Sequence, residues 1–386
     1  MANSADAIRI DITTKIVDSL KQGTPPWRRP WKNNPNAGMP SNFQTKKRYT
    51  GINILILMGA SIQQDFKSRH WGSSSAVLNQ IGAHVKKGEK ASFVTFFKML
   101  PKLNENGSVD KDKNGNDRVI PLLRQYALFN IEQFQSPTVE MLLDGRGTYN
   151  VVKALLGQFD KLNRTQITSE SELRSIAAKY LPISEQPAQG EKREVIAEAI
   201  CQGIHRNLSF YRADVEVKQV EPNFDPAEKL IAQSGAVIKH GGDKAMYIPT
   251  QDSICIPVKS SFDSMTDYYL TVFHELAHWT KLDQRVGRSL KFESQTENYA
   301  YEELVAELAA CFTLMEVGVP MAESTMHKSQ GYLSSWLKAM QNDPKYIFSA
   351  ATQASKITDY LLSFIGKQNQ SNCYEDTNDL IDKDVA

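Results

Sequence analysis

"YYLTVFHELAHWT", residues 268–280, sets His274 and His278 four apart, with Glu275 directly after the first histidine. On a helix, positions i and i+4 share a face, so both imidazoles can aim a ring nitrogen at one ion about 2.0–2.1 Å away. The apolar residues on either side predict a buried amphipathic helix that carries its polar edge into a cleft. Glu275 lies beside the histidines, free to take a proton from a water activated by the metal.

A catalytic zinc needs a third protein ligand and one position left for water. The extended pattern H-E-x-x-H-x-x-G-x-x-H is excluded, because Lys281 and Gln284 stand where its glycine and last histidine would be. "ENYAYEELVAELAACF", residues 297–312, offers carboxylates instead, with Glu303 and Glu307 one helical turn apart and Glu303 lying 25 residues beyond His278. We expect Glu303 as the third ligand and Glu307 as the carboxylate that orients a ligand histidine through its other nitrogen. Glu302, about 100° round the helix, is the weaker candidate. This predicts a Zn2+ cofactor and peptide-bond hydrolysis on an unknown protein substrate, with Glu275 as the catalytic residue, general base and proton shuttle. Tyr299, Tyr301 and His327 each suit an oxyanion donor by residue type, and the sequence does not choose among them.

Outward from this motif, the charge is uneven. Residues 1–134 hold 20 Lys/Arg against 10 Asp/Glu, net +10, while residues 135–386 hold 25 against 34, net −9. The first part is built to meet a polyanion. Basic and aromatic residues also interleave there: Trp27, Arg28, Arg29, Trp31 and Lys32, then Lys46, Lys47, Arg48 and Tyr49, then Trp71, Lys86, Lys87 and Lys90. Bases stacked on aromatics, with lysine and arginine along the phosphates, is how single strands are held, so these residues are the candidate DNA-binding set. The four cysteines are scattered, without metal or disulfide spacing, which fits a reducing, cytoplasmic setting. The N-terminus lacks the uninterrupted apolar region of a signal peptide. "GINILILMGA", residues 51–60, is too short to span a bilayer, so no membrane partner is expected.

The periodicity predicts helices near 7–20, 51–64 and 73–83, and strands over 91–100 and 124–134 around a polar loop. Asp110 to Gly115 begins like a calcium loop, but its twelfth position is Pro121 rather than glutamate, which leaves a solvated hairpin loop. Helices are expected near 149–162, 170–180, 190–207 and 226–234. Two or three short strands follow before Phe262, and helix dominates to about Ile365. The expected fold class is α+β: a small α+β domain over 1–135, a helical connector or insertion over 136–222, a mostly helical domain with a small sheet over 223–366, and a disordered acidic tail over 367–386.

"PWRRPW", "YTGIN", "GAHVKKGEKASFVTFFK" and "RQYALFNIEQF" resemble the single-stranded-DNA-binding domain of ArdC-like antirestriction proteins of conjugative plasmids, a domain shared with some plasmid primases. "LIAQSGAVIKHGGDKAMYIPTQDSICIP", "YYLTVFHELAHWTK" and "YAYEELVAELAA" resemble that family's zincin-type metallopeptidase domain. The resemblance covers roughly 1–135 and 223–320. It implies single-stranded-DNA binding, a gluzincin-like site of His274, His278 and Glu303 with Glu275 catalytic, and protection of incoming plasmid DNA from restriction. After "HELAHW" the family reads T-G-H where this chain has Thr280, Lys281 and Leu282. Residues 136–222 have no counterpart recognised from sequence. The rival expectation is a DNA-binding shield whose zincin fold is structural or vestigial.

Overall fold

A computed structural model describes residues 4–23, 25–28, 38–104, 106–113, 115–144, 155, 167, 169–212, 224–288, 295–321 and 330–366. The expected helix near 149–162 (Leu155 apart), the acidic tail, Arg29, Trp31, Lys32 and His327 lie outside the described residues.

In the N-terminal part, α1 (Ser4–Lys21) turns its Ile12, Ile16, Val17 and Leu20 side inward, the four-residue spacing making one face. A four-stranded mixed sheet runs in the order β1 (Ser41–Asn42), β2 (His70–Gly72), β5 (Val119–Asn130), β4 (Ser92–Pro101). Only β1 and β2 are parallel. Helix α2 (Ile52–Gln64) packs on β4, where the Asn53 side chain donates to the Thr95 carbonyl at 2.8 Å and accepts from its N–H at 2.8 Å. α3 (Ser74–Ile81) is capped by the Ser73 hydroxyl and leads to a two-stranded ladder of β3 (His84–Val85) and β6 (Phe134–Gln135).

The β4–β5 hairpin is in register from Ser92 opposite Leu128 to Pro101 opposite Val119. The second strand thus begins five residues earlier than the periodicity suggests and takes in Pro121. A proline is tolerated there because β5 has only β4 as a neighbour at that level. The loop between them is a solvated hairpin loop: Asp110 pairs with Lys102 and Arg118, each at 3.4 Å, and Asp112 accepts the Asn116 N–H at 2.9 Å.

After α4 (Val139–Asp144), α5 (Glu170–Tyr180) starts from a capping box in which Ser169 and Glu172 satisfy each other's backbone N–H groups. It packs on α6 (Arg193–Ser209). α7 (Asp225–Gln233) precedes a three-stranded sheet ordered β7 (Val237–His240), β9 (Ser253–Ile256), β8 (Met246–Ile248). α8 (Met265–Trp279), α9 (Gln295–Glu316), α10 (Gln330–Asn342) and α11 (Lys345–Ser363) complete an α+β architecture. Among the described residues, no helix is long and apolar enough to cross a membrane.

The hydrophobic cores do not follow the boundaries drawn from sequence. The largest runs from Ile12, Leu20, Trp27 and Ile54 straight into Phe273, Leu304, Phe312 and Ile357. A second joins Phe43, Val77 and Phe134 to Leu173, Ile200 and Leu208, so α5 and α6 share a core with α3 and the β3–β6 ladder. Each large apolar side chain fully buried this way contributes about 1.5–3 kcal/mol, which ties the parts into one folding problem.

Candidate metal centre

Ser264 starts α8: its hydroxyl oxygen accepts the Asp267 N–H at 3.1 Å. The face bearing Leu270, Phe273, Leu276 and Ala277 is buried, which leaves His274 and His278 on the half-buried edge. Helix α9 crosses α8 and brings Glu303 to them. Nε2 of His274 and Nε2 of His278 are 3.1 Å apart, and the Glu303 carboxylate oxygens lie 3.4 Å from each. All three ligand atoms fall within 4.8 Å of one another.

These donors fit a divalent cation of the zinc type on their own chemistry. Two imidazole nitrogens and one carboxylate converge on one point, which is the donor set of a three-ligand site with room for water. Burial disfavours charge on His278, but bonds to Glu302 and Glu303 outweigh it and raise its pKa to about 9. For Glu303 burial acts upward, and the two histidines outweigh it, lowering the pKa to about 2. The pocket is therefore built to hold positive charge, and a metal competes with protons for it.

The carboxylate at the other ring nitrogen of His278 is Glu302, not Glu307: Glu302 Oε1 is 3.2 Å from Nδ1. Arg288 clamps Glu302 from behind, Nη2 to Oε1 at 2.5 Å and Nε to Oε2 at 3.3 Å. Its remaining donors reach the Ala277 carbonyl at 2.8 Å and the Thr280 hydroxyl at 2.7 Å, so one cation also satisfies the C-terminal end of α8. With Glu302 held as an acceptor, the neutral form of His278 keeps its proton on Nδ1, so that it is the Nε2 proton that a metal at the centre would displace. Glu307 instead accepts from Arg28, and both are buried. Burial pushes the Glu307 pKa up, but Arg28, His274 and a hydrogen bond from Trp27 win and hold it below the usual carboxylate range.

Glu275 is buried, and its Oε2 accepts the backbone N–H of Tyr247 on β8 at 2.7 Å. Of the two oxyanion candidates among the described residues, Tyr299 is the one beside the site. It is half exposed, and its hydroxyl lies 3.2 Å from that of Tyr332; that bond, the burial of the rest of the ring and the nearby Glu303 carboxylate raise its pKa. Tyr301 is buried and bonds Ser349 at 2.7 Å. Tyr247, Arg288, Glu302 and Tyr332 all shape the centre and were not singled out by sequence for these contacts. Only Glu302 carried a signal, its place next to Glu303.

The candidate DNA-binding residues divide by burial. Trp27 and Trp71 are core side chains, and Tyr49 is buried. Arg28 is consumed by Glu307, and buried Arg48 reaches Asp359 at 2.7 Å and Glu316 at 3.7 Å. None of these five can stack a base or follow a phosphate in this conformation. Their aromatic and cationic character serves packing and buried ion pairs, which composition cannot tell from strand binding. Lys46 is exposed but set over the rings of Phe43 and Tyr211, 4.5 and 4.0 Å from their centroids. Lys47 and Lys86 are half-buried, and Lys87 and Lys90 are exposed.

Residues 6–129 match the N-terminal domain of anti-restriction factor ArdC, and residues 225–353 match the zincin-like metallopeptidase family MPTase-PolyVal. Two DNA primases TraC of Escherichia coli are 31% and 30% identical over 93% and 96% of this chain. The chain spans only 20% and 28% of their lengths. The y4eC protein of Sinorhizobium fredii is 24% identical over 91% of this chain and 90% of its own. The crystal structures of antirestriction protein ArdC from plasmid R388, metal-free and Mn(II)-bound, superpose with TM-scores of 0.59 and 0.57 at 25% identity, covering 93% of this chain and 98% of ArdC. Such coverage takes in most of residues 136–222, for which sequence reading found no counterpart. The chain belongs to the ArdC-like family, joining an ArdC N-terminal domain to a zincin-like metallopeptidase domain.

Proposed function

We propose that this chain is a zinc-dependent peptidase of an antirestriction type, which binds single-stranded DNA and protects incoming mobile-element DNA by cutting a protein. The observation that carries this reading is the convergence of His274, His278 and Glu303 with Glu275 on the same helix. His274, His278 and Glu303 would hold the metal, whose chemistry when bound is to polarise a peptide carbonyl and acidify water. Glu302 and Arg288 fix the tautomer of His278. Glu275, anchored by the Tyr247 N–H at one oxygen, has its other oxygen to take a proton and pass it to the leaving amine. The Tyr299 hydroxyl, which interacts with Glu303, would donate to charge growing on the carbonyl oxygen. A strand-binding role is supported by the net charge of +10 over residues 1–134 and by the shared N-terminal domain in proteins named for antirestriction and for DNA priming.

The second reading is a non-catalytic shield, and Glu275 separates the two. Metal analysis of purified protein should give about one zinc per chain, lost in His274→Ala and in Glu303→Ala but kept in Glu275→Ala. Glu275→Ala should bind oligothymidine as the parent does, yet fail to protect DNA entering a restricting host. Undiminished protection by that variant would establish the shield instead, and zinc retained by both ligand variants would remove the assigned site.

A further inference from the structure

A groove of about 680 Å³ opens between the β4–β5 hairpin and α11, well away in sequence from the metal ligands. The hairpin gives it Phe97 and Leu123, and α11 gives Lys345, Phe348 and Lys356, with Arg9 of α1 at its rim. Phe97 is 52% exposed, as is Phe93 two residue pairs along the same strand face. Exposed rings on a strand face that also borders a cationic groove are poor candidates for wasted surface. Lys345 and Lys356 are exposed and form no ion pair among the described residues. Asp359, the one acidic residue in the lining, is already bound by Arg48. At the floor, Gly51 donates its N–H to the Ser355 hydroxyl at 2.8 Å, and the start of α2 bears no side-chain cap.

We infer that this groove is where the single strand lies, its bases stacking on Phe97 and Phe348 while its phosphates meet Lys345 and Lys356. The inference rests on the strand-binding reading above and sharpens it. Half of the site comes from α11, a helix outside the strongly basic N-terminal segment, so both matched domains hold the strand. A polyanion satisfies the uncompensated lysines, and unpaired bases satisfy the rings; a duplex hides its bases and offers only the first.

Fluorescence anisotropy with labelled oligothymidine and the full chain tests this. Phe97→Ala should weaken binding by about five-fold to about a hundred-fold, the loss of one stacked base. Lys345→Gln combined with Lys356→Gln should weaken it too and lower the slope of log affinity against log salt by about 1.4, about 0.7 per phosphate contact. Lys229→Glu, an exposed change on α7, serves as control and should bind as the parent does. Because all these side chains are exposed, thermal melting should be unchanged. If the parent fails to bind oligothymidine, the strand-binding reading falls and the groove with it. If the parent binds and the groove variants match it, strand binding stands and this groove is not its site. Equal losses on a duplex of the same length would show a general polyanion surface and overturn the inference as well.

Discussion

Arg28 and Glu307, 279 residues apart, form a buried ion pair that joins the N-terminal domain to the helix carrying Glu303. Trp27 beside it lies in the same core as Phe273 and Phe312. The basic, aromatic stretch at residues 27–28 is thus a wedge against the helix that carries Glu303.

Removing one partner of such a pair leaves a buried, uncompensated charge, which typically costs about 3–5 kcal/mol. Arg28→Ala should therefore lower the urea midpoint markedly. Arg28→Met paired with Glu307→Leu should recover much of the loss, since an apolar pair leaves no orphan charge. A single-site Arg28→Ala change with an unaltered midpoint would contradict the geometry.

Glu302 offers a separate test. If its bond to Nδ1 of His278 fixes the ligand tautomer, Glu302→Ala should weaken zinc about ten- to a hundred-fold in a competitive chelator titration. Glu302→Gln should fall between, because its amide oxygen can still accept. Glu307→Gln acts on folding more than on metal affinity by this account. The reverse ranking of the two positions would return the orienting role to Glu307.

How far the sequence could be read turns on whether each signal is local. The two histidines on one helix, the third carboxylate a helix later and the hairpin strands all follow from spacing within an element. The orienting carboxylate did not, because Glu302 and Glu303 straddle His278 only through the crossing of α8 and α9. The burial of Trp27, Arg28, Arg48, Tyr49 and Trp71 was not legible because their partners lie elsewhere in the fold: Arg28 on Glu307, Arg48 on Asp359, Trp71 edge-on to Phe66. An aromatic or a cation that stacks on DNA is written with the same letters as one that fills a core.

The shared cores also bear on dissection. A fragment of residues 1–135 would bare Ile12, Ile16, Leu20, Trp27 and Ile54 on one side and Phe43, Val77 and Phe134 on the other. It should show weak near-ultraviolet circular dichroism, bind a hydrophobic dye and melt without a sharp transition. The full chain should unfold cooperatively. A well-dispersed NMR spectrum and a sharp melt from the fragment would show that its own small core suffices.

The last prediction concerns acid. His70 sits on β2, and burial, with Arg69 and Lys46 adding to it, lowers its pKa to about 4; burial lowers that of His84 as well. In the unfolded chain each takes a proton near pH 6.5. Between those values the unfolded state binds more protons, so stability is fully present above about pH 6.5 and is lost as the pH falls toward 4. The buried carboxylates Glu302, Glu303 and Glu307 have lowered values and act in the same direction, but only below their ordinary range, near pH 4. Asp359, whose pKa burial raises, acts in the opposite direction just above its ordinary range, so the fall that begins near pH 6.5 is the part that belongs to the histidines. His70→Gln, kept near Ser41 in size and polarity, should show a shallower fall in melting temperature over that part than the parent, with convergence toward pH 7.5 apart from a constant offset. Parallel curves for the two proteins would mean that His70 is not held neutral in the fold.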